Sequence, residues 1–251
     1  MNHQLIMKTV LIVNVGHAPA EQVARFGDFE QWAYNAIRAQ GITDQDLAIT
    51  FHDGVNHTLP NLDSLAGVII MGSLAMASEK APWMLRLSQE ILTLVERKIP
   101  LLGICFGHQL IAQALGGTVG YHPQGLEIGT VPIHATSAAR QDAIFSQLPE
   151  QFYAHAVHYQ SVLTLPEQAV RLAGNDFEPH HAYRFGDTCW GVQFHPEFTP
   201  EVMTMTLDSL QHECSDYEQK CAQVTTTEHA KQILYYFARM CREAEKELCI
   251  E

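Results

Sequence analysis

Short apolar, largely β-branched runs recur along the first 104 positions, at residues 10–13, 47–51, 68–71 and 101–104, each bounded by Gly, Pro or acidic residues. Runs of this length and composition read as buried parallel strands. Between them lie stretches of helical length, 29–40 and 83–98. In the second, Trp83, Leu87, Ile91, Leu94 and Val95 fall roughly on one face, and Pro82 stands where a helix tolerates proline. Strands alternating with helices predict an α/β fold, a doubly wound and mostly parallel sheet flanked by helices.

The second half changes character. Residues 129–133, 152–157, 169–172, 181–185 and 189–194 read as strands separated by turns without helices, which predicts a small antiparallel extension of the same domain. From residue 201 the chain turns helical again. Within a terminal helix over 228–247, Ile233, Phe237, Met240, Cys241 and Ala244 recur at helical spacing. Tyr235 and Tyr236 beside Phe237 give that helix apolar groups on more than one face, and packing against the sheet is the expectation ahead of contact with a partner. With no repeat, low-complexity tract or linker in view, one domain is expected over 1–251, the helical segment 201–251 packed on it.

Composition narrows the function classes. Lys and Arg number 15 against 28 Asp and Glu, a formal charge of −13, which argues against nucleic acid and against an anionic membrane surface as partners. At 47% hydrophobic and 17% charged the chain resembles ordinary globular proteins. No apolar stretch reaches the ~18 residues of a membrane span. The start mimics a signal peptide, with Lys8, an apolar run and Ala18-Pro19-Ala20, yet a run from Thr9 to Val15 closed by Gly16 reads better as a first buried strand. Six cysteines (Cys105, Cys189, Cys214, Cys221, Cys241 and Cys249) form no C-x-x-C pair, so a reducing, cytoplasmic setting is expected.

The segment from Ile99 to Gly117 carries the first chemical signal. A buried strand ends at Ile104, and a helix starts just after Cys105. A cysteine in that turn meets a helix N-terminus, whose unpaired N–H groups and positive dipole end favour a thiolate. Gly103 and Gly107 supply the missing side chains that a sharp strand-to-helix elbow needs. The other five cysteines lack such a setting and read as small hydrophobes; Cys214 and Cys221, seven apart, would share one helical face.

A cysteine nucleophile needs a base held by a third group. Gly191-Val-Gln-Phe-His-Pro-Glu197 supplies both: His195 closes a strand, and Glu197 follows two residues later, on the same side of an extended backbone. Among fourteen histidines, His108 lies in the elbow helix, His180-His181 is a tandem pair, and His155-x-x-His158 imitates a metal pair. None comes with Asp, Glu or Cys at a recognisable ligand spacing, so neither a metal nor a cofactor is expected.

Together the elbow Gly103-Ile-Cys105-Phe-Gly107-His-Gln109 and the box Gln193-Phe-His195-Pro-Glu197, ninety residues apart, resemble the triad-type (class I) glutamine amidotransferases. Glu127-Ile-Gly129 and His158-Tyr-Gln-Ser-Val162 before Leu165-Pro166 look like the stand-alone relatives of the GMP synthase glutaminase domain. The resemblance implies that Cys105 attacks the side-chain amide of glutamine, His195 protonates the departing ammonia, and water hydrolyses the thioester, with Glu197 fixing the imidazole. It also implies an oxyanion hole from the Phe106 amide and the loop Gly72-Ser73, and substrate contacts at Gln109, Tyr159 and Gln160. Two departures stand out. Gly72-Ser73-Leu74 replaces the usual Gly-Gly-Pro, and a serine forced to positive φ there would be strained by about 1 kcal/mol or more. Tyr159-Gln160 replaces Gly-Asp.

Hydrolysis of glutamine is therefore the leading expectation; with no P-loop and no Ser-Gly-Gly nucleotide motif in the sequence, either a separate ammonia-accepting synthetase chain is the partner or no acceptor site exists. A γ-glutamyl peptidase or hydrolase acting on small conjugates uses the same triad. A regulatory module with a decayed oxyanion hole and a cysteine protease are the remaining alternatives.

Overall fold

The structure, a computed structural model, describes the backbone of residues 8–248 and the side chains of residues 8–243. Strands β1 (Thr9–Asn14), β2 (Ala48–Asp53), β3 (Leu65–Ile70) and β4 (Leu101–Ile104) lie parallel in the order β2-β1-β3-β4. Helices α1 (Ala20–Phe26), α2 (Phe29–Arg38) and α3 (Pro82–Glu96) occupy the connections, and α4 (Phe106–Ala114) follows β4 after one residue. Asp28 starts α2 by accepting a hydrogen bond from the Phe29 amide, and Pro82 opens α3.

Seven strands follow: β5 (Thr118–Tyr121), β6 (Glu127–Ala135), β7 (Gln151–His158), β8 (Gln160–Thr164), β9 (Ala169–Gly174), β10 (Ala182–Phe185) and β11 (Cys189–Val192). β11 returns parallel beside β4, and β10, β9, β6 and β7 extend the sheet antiparallel to nine strands among the described residues. β5 and β8 pair separately. The predicted doubly wound sheet and its antiparallel extension are both present.

Alternate residues of the parallel strands feed two layers. Val10, Ile12 and Ile69 pack with α2 and with α7 (Glu228–Leu248), whereas Leu11, Val13, Val68 and Ile70 face α3 and α4. That two-sided burial explains why β1 and β3 read as continuous apolar runs. Three expectations shift. β2, expected as a buried strand, is the sheet edge and pairs only with β1, leaving Phe51 46% exposed. β11 stops at Val192 rather than Phe194, because the Gln193 amide turns to donate to the His181 carbonyl and the His195 amide to that of His155. Cys214 and Cys221 do not share a helix, since Cys214 precedes α6 (Tyr217–Ala222). β5, β8 and α1 are short and half-polar, and their patterning did not announce them.

After α5 (Pro200–Ser209) and α6, helix α7 buries Ile233, Leu234, Phe237 and Cys241 against the sheet. Ala244, the last residue of its expected stripe, and Cys249 lie outside the described side chains. The approach is closest at Gly67 of β3, where an added Cβ would overlap the Cys241 sulfur. We expect Gly67→Ala to destabilise the fold by about 1–3 kcal/mol, the usual range for overpacking. Denaturant midpoints should show Cys241→Ala recovering much of that loss in the double variant, although by itself it opens a small cavity.

Candidate active site

Cys105 is the one residue between β4 and α4, and its backbone sits at φ 49°, ψ −100°. Positive φ is costly for a residue with a Cβ, and it persists only where surroundings over-determine it. Those surroundings are packed tightly. The Cys105 amide donates to the Val192 carbonyl of β11 at 2.8 Å, and the Gly107 amide to the Met71 carbonyl at 3.2 Å. A Cβ on Gly103 would overlap the Gly107 backbone, and one on Gly107 would overlap the Ile70 carbonyl. Both glycines are therefore what lets α4 press onto β3 and β4 and hold the elbow. The Phe106 amide, first in α4, has no acceptor inside the helix.

His195 follows β11, the strand parallel to β4, so both chemical groups emerge at the same sheet end. Its Nδ1 lies 2.7 Å from Glu197 Oε1, and both side chains are buried. The contact was expected from an extended backbone, but residues 196–197 form a turn in which the Phe198 amide approaches the His195 carbonyl at 3.4 Å. Phe198, which sequence reasoning missed, stacks on the imidazole with ring centres 4.1 Å apart, and Trp32 packs edge-on against Phe198. The ring is thus clamped by an ion partner and an aromatic face. Its Nε2 is buried without a hydrogen-bond partner, and the Cys105 thiol lies within electrostatic reach. Burial alone would lower the imidazole pKa, yet Glu197 and then Cys105 outweigh it and push it up to about 10.

Gly72, after β3, stands against this pair: a Cβ there would crowd His195 Cε1 at 3.1 Å and lie 3.8 Å from the Cys105 Cβ. Ser73 is not the strained serine anticipated, because among the described residues only Lys80, Lys98 and Cys105 combine a side chain with positive φ. Its hydroxyl donates to the Val15 carbonyl at 2.8 Å and accepts from the Ala75 amide at 3.1 Å, strapping the loop to the end of β1.

The expected substrate contacts are placed beside the thiol but are already engaged. Gln109 Nε2 donates to the Gln160 carbonyl at 2.7 Å and to Gln193 Oε1 at 3.0 Å. The Gln160 side chain exchanges hydrogen bonds with Ser78, its Nε2 donating to the hydroxyl and its Oε1 accepting from the amide. Tyr159 donates its hydroxyl to Glu213 at 3.0 Å, and burial together with that carboxylate pushes the phenol up to about 12. These residues shape the wall of a cleft of about 400 Å³ that also exposes Cys105 and His195.

Behind that wall the fold gathers Glu127, His158 and His181, whose ligand atoms lie within 4.8 Å of one another. Sequence spacing gave no hint of this cluster, because its members sit on β6, β7 and just before β10. His155 and His158 part ways instead: His155 bonds Thr130, while His158 places Nε2 2.7 Å from Glu127 and Nδ1 3.0 Å from the Gln160 carbonyl. His181 Nε2 stands 3.1 Å from the same Glu127 oxygen, and Asn175 donates to the other at 2.8 Å. Glu127 so gathers His158 by a hydrogen bond and His181 by close ionic contact into a buried cluster that braces the cleft wall. Burial resists ionisation of Glu127, but the two histidines outweigh it and hold its carboxyl well below the ordinary range. His108 is buried and packs on Tyr183; desolvation, and then the neighbouring histidines, lower its pKa well below the ordinary value. Burial raises the Cys189 thiol to about 12 and also raises that of Cys241, which leaves both inert.

A cysteine at a strained elbow beside a clamped His-Glu pair can carry acyl transfer. The family model described as glutamine amidotransferase class-I matches residues 27–210. The chain belongs to that family. It is 33% identical over 190 residues to gamma-glutamyl peptidase 5 of Arabidopsis thaliana, covering 74% of this chain and 70% of that protein. It is 30% identical over 188 residues to the GMP synthase [glutamine-hydrolyzing] of Aeropyrum pernix, covering 75% of this chain but only 32% of that longer protein. A glutamine amidotransferase of Thermotoga maritima shares the fold, with a TM-score of 0.73 at 20% identity over 93% of this chain and 98% of its own. Among the described residues no helix is long and apolar enough to cross a membrane.

Two outcomes follow from the charges of the class-I amidotransferase site. A raised histidine pKa adds stability that is full below about pH 6.5 and is lost as pH rises through about 10. Glu197→Gln removes the main raising partner, so the alkaline limb of the pH dependence of Cys105 alkylation should move to lower pH. A lowered carboxyl adds stability present above its ordinary 4.5 and lost as pH falls. Glu127→Leu leaves two buried histidines without their carboxylate and should cost about 3–5 kcal/mol in urea unfolding at neutral pH.

Proposed function

We propose that the chain is a cysteine-dependent hydrolase of γ-glutamyl amides. The observation that carries this reading is the 2.7 Å His195–Glu197 contact facing a thiol at positive φ. Cys105 Sγ adds to the γ-carbonyl as a thiolate whose proton His195, with its raised pKa, already holds. The C–N bond then breaks as the imidazolium protonates the leaving nitrogen. Water deprotonated by His195 hydrolyses the thioester and releases the acid. Glu197 holds the ring, and the amides of Phe106 and the Gly72-Ser73 loop receive the oxyanion; one such donor is typically worth about 3 kcal/mol. Gln109, Tyr159 and Gln160 act as the braced wall against which the glutamyl part lies. The expected backbone strain at Ser73 was the main support for a decayed module, and no such strain exists.

Glutamine is the reference substrate, and its ammonia would pass to a separate synthetase chain. A γ-glutamyl hydrolase that needs no synthetase is the second reading, favoured by a cleft much larger than a departing ammonia requires. We take the whole of 1–251 as one catalytic domain in a reducing cytoplasm, which suits five free thiols among the described residues.

A glutamine-analogue chloroketone should label wild type at Cys105 and fail with Cys105→Ala, as read by intact mass. His195→Ala should lower kcat on the order of 10²–10⁴-fold with the fold retained. A folded wild type that resists labelling and releases nothing from any γ-glutamyl amide would overturn the assignment.

A further inference from the structure

The cleft is unusual in its charge. Two histidines line it, His195 paired with Glu197 and His158 paired with Glu127, and no Asp, Glu, Lys or Arg among the described residues does. Much of its surface is apolar, from Leu74, Met76, Phe198 and Leu210. Leu74 is the clearest case: 63% exposed, it stands at the rim where the Ser73 hydroxyl fastens the loop to β1. A large apolar side chain held out beside a nucleophile gains nothing in the free protein, and it gains when a ligand covers it.

The ionised side chains hydrogen-bonded to lining residues are carboxylates: Glu213 on Tyr159, Asp28 on the Phe29 amide and Glu127 on His158. A carboxylate on the amine half of a substrate would meet no cation there that lacks a carboxylate partner of its own, and would approach the Glu213 carboxylate bound by Tyr159. The glutamyl α-carboxylate and α-ammonium are common to every γ-glutamyl substrate and do not discriminate.

We infer that the cleft is built for γ-glutamyl amides of uncharged, apolar primary amines, with Leu74, Phe198 and Leu210 covering the amine substituent. This specificity rests on the γ-glutamyl hydrolase reading. Cys105 forms the thioester as the C–N bond breaks, the amine leaves with the proton from His195, and water completes hydrolysis to glutamate. Ammonia offers no surface to this wall, so glutamine forgoes binding energy that the larger amides use.

The test compares kcat/KM of the full chain for glutamine, γ-glutamylphenethylamide and γ-glutamylphenylalanine, the last differing from the second by one carboxylate. The phenethylamide should exceed each of the others at least tenfold. Along a series of n-alkyl amides, kcat/KM should rise about two- to fourfold per methylene, the upper figure corresponding to ~0.8 kcal/mol. Leu74→Ser, at an exposed position, should flatten that series. Equal or better turnover of glutamine would overturn the proposal, as would equal or better turnover of the phenylalanine conjugate. Labelling of Cys105 by the chloroketone without turnover of any of the amides would overturn it too, leaving the nucleophile assignment standing. Absence of both labelling and turnover in folded protein would instead bring down the underlying hydrolase reading.

Discussion

Everything in the site depends on holding one cysteine at a backbone angle that its side chain disfavours. The cost of φ 49° at Cys105 is of the order of 1–3 kcal/mol, and the packing around it is what supplies that energy. Gly103 and Gly107 let α4 sit directly on β3 and β4, and the Cys105 amide is tied to β11. None of these contacts is chemical in itself. They belong to a sheet whose central strands are buried on both faces, so they cannot relax without disturbing the core.

The same sheet delivers the base. β4 and β11 are neighbours in parallel register, Ile104 opposite Val192, so a nucleophile after one strand and an imidazole after the other meet at the carboxyl edge. Open α/β sheets place ligands at this edge as a rule, because loops there can vary without cost to the layers below. The buried Glu127–His158–His181 cluster plays the complementary part. It ties β6 and β7 to the residues before β10 and, through the Gln160 carbonyl and Gln109, fastens the cleft wall to the elbow helix.

How much of this was legible from residues alone follows the range of each interaction. The parallel strands, the elbow and the His-Glu pair rest on local pattern, such as apolar runs, glycine spacing and residues two apart, and they were readable. The edge position of β2 was not, since Leu47 to Phe51 carries the same apolar pattern whether one side of the strand is paired or both are. Ser73 misled because a family likeness suggested a backbone angle, whereas its hydroxyl solves the same loop problem by binding Val15. The Glu127 cluster was invisible, because its members lie 23 and more residues apart in the chain and meet only when antiparallel strands align. Phe198 was overlooked for a simpler reason: an aromatic residue after a histidine box looks like ordinary core until its ring is seen lying on the imidazole.

Chemistry and selectivity occupy different parts of the fold. The proposed nucleophile, base and orienting acid hang from β4 and β11, whose residues are fully buried and have little freedom to change. The surfaces that meet the rest of a ligand come from the loop 72–76, the turn at Tyr159 and the C-terminal end of α5, all of which pack on the sheet from outside. A side chain such as Leu74 can change in size or charge without touching the elbow, since the Ser73 strap and not Leu74 fixes the loop. On the proposed function, the reaction class is tied to the core, while the choice among amides is left to residues that contribute little to holding the protein together.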